Sequence, residues 1–177
     1  MRDYLKCPYN NPFCWNIIDF NSMYNLISKW DSIDFTNWDM FRDKQWNFYT
    51  KIDNCITIKW QHYKFSKTDD VMRKEGIDVF SNKIWEYIAE CYDKRTARML
   101  KQNESPTFIL GSTWNGGSYS KDELKKLCSI KTPYKIIVAN HGIQLQNTPP
   151  NVTFYTEIIK KNNGLLAKKL YEAYFKL

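Results

Sequence analysis

Long apolar runs, paired cysteines, histidine and glycine are what this chain has least of. No apolar segment reaches the ~18 residues that a membrane span requires. The first twenty residues are polar and aromatic, unlike a secretory leader, so the chain reads as cytoplasmic. Five cysteines (Cys7, Cys14, Cys55, Cys91, Cys128) are odd in number, widely spaced and never in a C-x-x-C pair, which fits a reducing compartment better than a disulfide framework. Two histidines, His62 and His141, cannot build a familiar zinc site with those cysteines. Six glycines and six prolines leave no low-complexity tract, and neither an internal repeat nor a linker is visible. One domain over residues 1–177 is the expectation, long enough to bury a core.

What is present is aromatic and basic. Aromatic residues make up 16% of the chain, which suits a ring-filled core or a surface on which sugars or bases stack. The net charge of +7 comes from Lys and Arg scattered along the chain with no dense basic run. Nucleic-acid binding is therefore weakly supported. The same charge suits an anionic small molecule, such as a nucleotide-sugar or coenzyme A, or simply keeps the protein soluble.

The organising stretch is residues 106–140. A β-prone run at 107–110 leads to a Gly-rich turn, a short polar helix opened by a Ser120/Glu123 capping box, and a second apolar run at 135–139. Strand, helix, strand in that order predicts a right-handed parallel crossover. Upstream, Asn21 or Ser22 can cap a helix whose Met23, Leu26, Ile27 and Trp30 form a core-facing stripe. Residues 37–42 read as a short helix, residues 55–60 as a half-buried strand, and residues 64–77 as a charged loop. The longest helix starts at Asp78 or Ser81 and ends near Gln102, with Trp85, Ile88, Tyr92 and Met99 on its apolar stripe. A third short strand at 152–155 and a closing helix past Gly164 complete the chain. The fold class expected is α/β, three-layered, with a small mostly parallel sheet and flanking helices.

Ligands of such sheets sit outside the carboxyl ends of the strands. Gly111-Ser112-Thr113, followed by Asn115, Gly116 and Gly117, allows close backbone approach to an anion, though it matches neither the P-loop nor the dinucleotide fingerprint. His141 follows the second strand of the unit and can act as a general base, or stand exposed and idle. His62 follows the strand at 55–60 and can equally be a packed core histidine. Ser112 and Cys14 are the candidate nucleophiles; neither sits in a G-x-S-x-G elbow, and Cys14 also reads as a small buried apolar residue. Arg95 falls on the apolar stripe of the long helix and Arg98 lies one turn on. A snorkelling stem near a helix C-terminus and an anion ligand are both open readings.

Pro8-Tyr-Asn-Asn-Pro-Phe13, the helix at 23–30, the strand ending at His62-Tyr63, and Trp85 followed by Tyr92-x-Lys94-Arg95-x-x-Arg98 resemble a bacterial family of exopolysaccharide or capsule biosynthesis proteins. Phe13-Cys14-Trp15 and the Tyr/Lys/Arg run are also similar to the papain-like cysteine peptidase family. Both families open with a strand ending in a Cys-containing turn, so the resemblance implies that this first strand is missing here. Cys14 stands where the second family usually carries Asp. The resemblance implies a protein of surface-polysaccharide assembly, an acyl or glycosyl group transferase. Its catalytic candidates are His62, His141 and Ser112, and its ligand-binding candidates are Arg95, Arg98, Trp15, Asn115, Gly116 and Gly117. An anionic sugar or acyl donor is the partner expected, and no cofactor is specified. A non-catalytic glycan- or protein-binding module and a cysteine hydrolase-like relative are the alternatives.

Overall fold

The computed structural model describes residues 12–13, 16–45, 47–60, 77–101, 105–111, 119–139 and 145–155. Helices and strands are mixed, as an α/β reading requires, but the strands form two sheets, one antiparallel and one parallel. The chain divides into two compact units, one spanning Tyr9–Asn103 and one built on Glu104–Leu177.

In the first unit, strand β1 (Ile17–Ile18) runs into helix α1 (Phe20–Ser28), then a 3-10 turn, Trp30–Ser32. Strands β2 (Trp38–Arg42), β3 (Phe48–Ile52) and β4 (Ile56–Lys59) follow, and helix α2 (Ile77–Lys101) closes the unit. The sheet order is β1-β4-β3-β2, every pair antiparallel. Residues 38–42 are thus a strand, not the short helix expected. Trp38 and Phe41 stand three apart and mimic a helical stripe. Pairing with β3 instead puts Trp38, Met40 and Arg42 on one face and Asp39 and Phe41 on the other.

The β3–β4 turn depends on two residues in the left-handed region, Asp53 (φ 45) and Asn54 (φ 53), types that tolerate it, and the Cys55 N–H donates to the Ile52 carbonyl at 3.1 Å. Helix α1 is capped by Asp19, not by Asn21 or Ser22: the Ser22 N–H donates to Asp19 Oδ1 at 2.9 Å. That leaves the Ser22 hydroxyl oxygen to accept the Thr57 N–H at 2.9 Å, while Asn25 Nδ2 donates to the Cys55 carbonyl. The helix thereby satisfies the part of β4 that the two-residue β1 leaves uncovered. At the opposite edge, the Met40 N–H donates to the neighbouring Asp39 carboxylate at 2.7 Å.

The core of this unit lies on the Thr50/Ile58 face of the sheet. Ile52, Ile56 and Ile58 are fully buried, as are Ile88 and Tyr92 of α2. Rings join the two: Phe48 meets Trp85 edge-on at 4.8 Å, and Trp38 tilts against Tyr92 at the same distance. The buried stripe of α2 is Ile84, Ile88, Tyr92 and Thr96, at a strict spacing of four. Trp85 and Met99, expected on it, are half-buried at its margin.

The second unit follows the sequence expectation closely. Strands β5 (Thr107–Gly111), β6 (Lys135–Ala139) and β7 (Val152–Tyr155) form a parallel sheet in the order β5-β6-β7. Ile109 pairs with Ile137, and Ile137 in turn with Thr153. Helix α3 (Lys121–Cys128) is the crossover between β5 and β6, with Leu124 and Leu127 fully buried. Its capping box is complete: Ser120 Oγ accepts the Glu123 N–H, and the Glu123 carboxylate accepts the Ser120 N–H at 2.8 Å. Of the loop expected at 64–77, Ile77 instead opens α2 and the rest lies outside the described residues, as does the closing helix past Gly164.

Candidate functional site

The parallel register sets Gly111 directly opposite Ala139, so the two strands end side by side. Ser112, Asn115, Gly116, Gly117 and His141, which follow those ends, lie outside the described residues, as do His62, Cys14 and Trp15. Two described features bear on this end of the sheet. First, the strand order never reverses among the described strands, and it is at a reversal that an open parallel sheet forms its ligand crevice. Second, the Tyr119 hydroxyl donates to the Gly111 carbonyl at 3.3 Å, and burial, with Glu123 adding to it, pushes that phenol up to about 12. The last carbonyl of β5 is thus already bonded by the chain. Among the described residues no atom lies within 4 Å of where a Cβ on Gly111 would stand.

Arg95 and Arg98 lie on α2 but do not share a site in the described residues. The Arg95 guanidinium lies over the Trp60 ring, 5.4 Å from its centroid. Trp60 is fixed in turn, its indole N–H donating to Thr50 Oγ1 at 2.8 Å inside the core. Arg98 is exposed, and its Nε–H donates to the Lys94 carbonyl at 3.2 Å along the helix. Cys55, Cys91 and Cys128 are half-buried free thiols. Burial pushes the Cys128 thiol up, the opposite of what a nucleophile needs. No group of His, Cys, Asp and Glu among the described residues could hold a metal ion.

The arrangement with binding geometry is one that sequence reasoning missed, the solvent face of the antiparallel sheet. Register lines up four side chains across it: Phe41 opposite Tyr49, Tyr49 opposite Lys59, Lys59 opposite Ile17. Phe41 and Tyr49 stack nearly parallel, 7° between planes and 4.9 Å between centroids. Lys59 Nζ lies 5.9 Å from the centre of the Tyr49 ring. The Tyr49 hydroxyl donates to Asp43 Oδ2 at 3.0 Å. That carboxylate also accepts from the backbone of Gln45 and Asn47 and from Asn47 Nδ2. Burial opposes ionisation of Asp43, but these hydrogen bonds, led by Asn47, outweigh it and hold the pKa at about 2.

Tyr49 is therefore fixed by a ring, a cation and a hydrogen bond, while Phe41 at the sheet edge stays 43% exposed and Ile17 at the other end 37%. Lys51 and Asp39 flank the row on the same face and are exposed. The signal in the sequence was the alternation of Phe48, Thr50 and Ile52 with Tyr49 and Lys51, short enough to be hidden among irregularly spaced aromatics. The described Trp residues, by contrast, are half-buried or buried.

No family model, curated protein or solved structure matches this chain. Among the described residues no helix is long and apolar enough to cross a membrane.

Proposed function

We propose that this chain is a glycan-binding module serving surface-polysaccharide assembly on the cytoplasmic side, with an acidic saccharide as its ligand. The observation that carries the reading is the Phe41 ring, backed by a Tyr49 ring already fixed in place and left exposed at the sheet edge. A sugar ring offers a flat patch of C–H groups that packs on an aromatic face while its hydroxyls stay in water, and a preorganised ring does this with little ordering cost. Lys51 stands opposite Asp39 on this face, so it is Lys59 beside the Tyr49 ring, with the net charge of +7, that favours a carboxylate-bearing saccharide. The polysaccharide context rests on the resemblance of residues 8–13 and 92–98, and a three-layered arrangement around the parallel sheet belongs to the same proposal.

The group-transferase reading instead assigns Arg95 and Arg98 to an anionic donor. The position of Arg95 over Trp60 favours a packing role. Calorimetric titration of the full chain with hexuronate-containing and neutral oligosaccharides separates the two. Phe41→Ser should weaken acidic-saccharide binding about tenfold or more, the scale of an aromatic anchor, and Arg95→Met should leave it unchanged. Undiminished binding by Phe41→Ser, or saccharide transfer from a nucleotide-sugar by the wild-type chain that Arg95→Met abolishes, would overturn the reading.

A further inference from the structure

A groove of about 700 Å3 opens between helix α3 and the turn that precedes β7, lined by Lys121, Lys125, Cys128, Leu145, Asn147 and Pro149 among others. That volume is in the range of small-molecule sites. Its helix wall is a single stripe, since Lys121, Lys125 and Cys128 are spaced four and three apart. Its opposite wall is a turn in which Asn147 adopts a left-handed conformation (φ 63), with Leu145 and Pro149 half-buried.

The lysines are placed against the local interest of the helix. Lys121 is the first residue of α3, at the positive end of the helix dipole, where a cation is destabilising. Lys121 and Lys125 also stand four apart, where like charges repel. The ion pair from Lys125 to Asp122, 3.6 Å long and largely exposed, compensates little. Lys121 has no ion-pair partner among the described residues. Two lysines lining one groove, the first of them at a helix start where stability asks for an acid, are expected where function overrides local stability.

We propose that this groove binds a diphosphate-bearing small molecule, its phosphates held between Lys121 and Lys125 and its organic part resting on Leu145 and Pro149. Two lysines one helical turn apart offer two flexible ammonium donors to a single ligand, which suits a multiply charged anion better than a singly charged one. This site is independent of the Phe41–Tyr49 face, so either can fail without the other.

Cys128 in the groove wall reports on occupancy. The full chain is treated with iodoacetamide at mildly alkaline pH, and thioether formation at each cysteine is followed by peptide mass spectrometry. Millimolar inorganic pyrophosphate should slow alkylation of Cys128 about fivefold or more while sparing Cys55 and Cys91, with uridine diphosphate effective at lower concentration. Lys121→Glu should abolish the protection and at the same time raise the melting temperature, because it places an acid at the helix N-terminus and a favourable Glu-to-Lys pair at i,i+4. Lys125→Glu should abolish protection as well. Protection that survives both substitutions, protection matched by sodium chloride at equal ionic strength, or no protection by either phosphate probe would overturn the proposal.

Discussion

Asp43 shows how a single side chain sets the geometry of the binding face. Its carboxylate closes the β2–β3 turn through Gln45 and Asn47 and holds the Tyr49 hydroxyl, so turn and platform depend on the same charge. The folded state keeps its pKa at about 2, below the ordinary 3.8. A depressed carboxyl contributes stability that is fully present above the unfolded-state pKa and is lost as pH falls through the folded one. Thermal unfolding of the wild type and Asp43→Asn should therefore differ by a constant amount above about pH 5, with the gap narrowing between pH 4 and 2. A gap independent of pH would mean that the charge of Asp43 contributes nothing. Arg95 makes the complementary point. The sequence showed a cation on an apolar stripe, but nothing local indicated that Trp60 would lie beneath it.

Among the elements, α3 was the most legible and β2 the least. The capping box that opens α3 is a contact between residues three apart, so its chemistry is complete within the local sequence. Ser120→Ala should cost about 1 kcal/mol, read as a lower denaturant midpoint at unchanged m-value, with Glu123→Ala largely non-additive to it because the two share one motif. Additive losses would mean that the two bonds act separately. The strand β2 has no such local signature. Five residues with aromatics at positions 38 and 41 fit a helical period better than a strand period, and only β3 beside them decides the matter. The cap of α1 departs from the local signal for a related reason: the Ser22 hydroxyl serves β4, a partner 35 residues away, and Asp19 takes the cap.

At the scale of the whole molecule, two sheets of opposite character lie in two units of one chain. In the antiparallel sheet, β3 and β4 are paired on both sides along much of their length, whereas β2 is paired on one side. Amide exchange should accordingly be slowest in β3, β4 and the buried centre of β6 (Ile136, Ile137, Val138) and clearly faster in β2, since opening an edge strand breaks fewer contacts. Equal protection of β2 and β3 would show that the β2 edge is covered by something else. The exposed row from Phe41 to Ile17 exists only at this scale, because its four members come from four strands brought into register.

The sequence by itself determined the parallel unit: the β-prone runs at 107–110, 135–139 and 152–155, the capped helix between the first two, and hence Ile109 and Ile137 on neighbouring strands that run the same way. Short-range periodicity and capping are properties of neighbouring residues, and the crossover rule supplies the rest. Only the tertiary structure decided that residues 38–42 extend, that a second, antiparallel sheet exists, that Arg95 lies on Trp60, and that Phe41, Tyr49, Lys59 and Ile17 share a line. A strand is defined by its partner and a surface by what leaves it uncovered, and both are contacts between residues far apart in the chain.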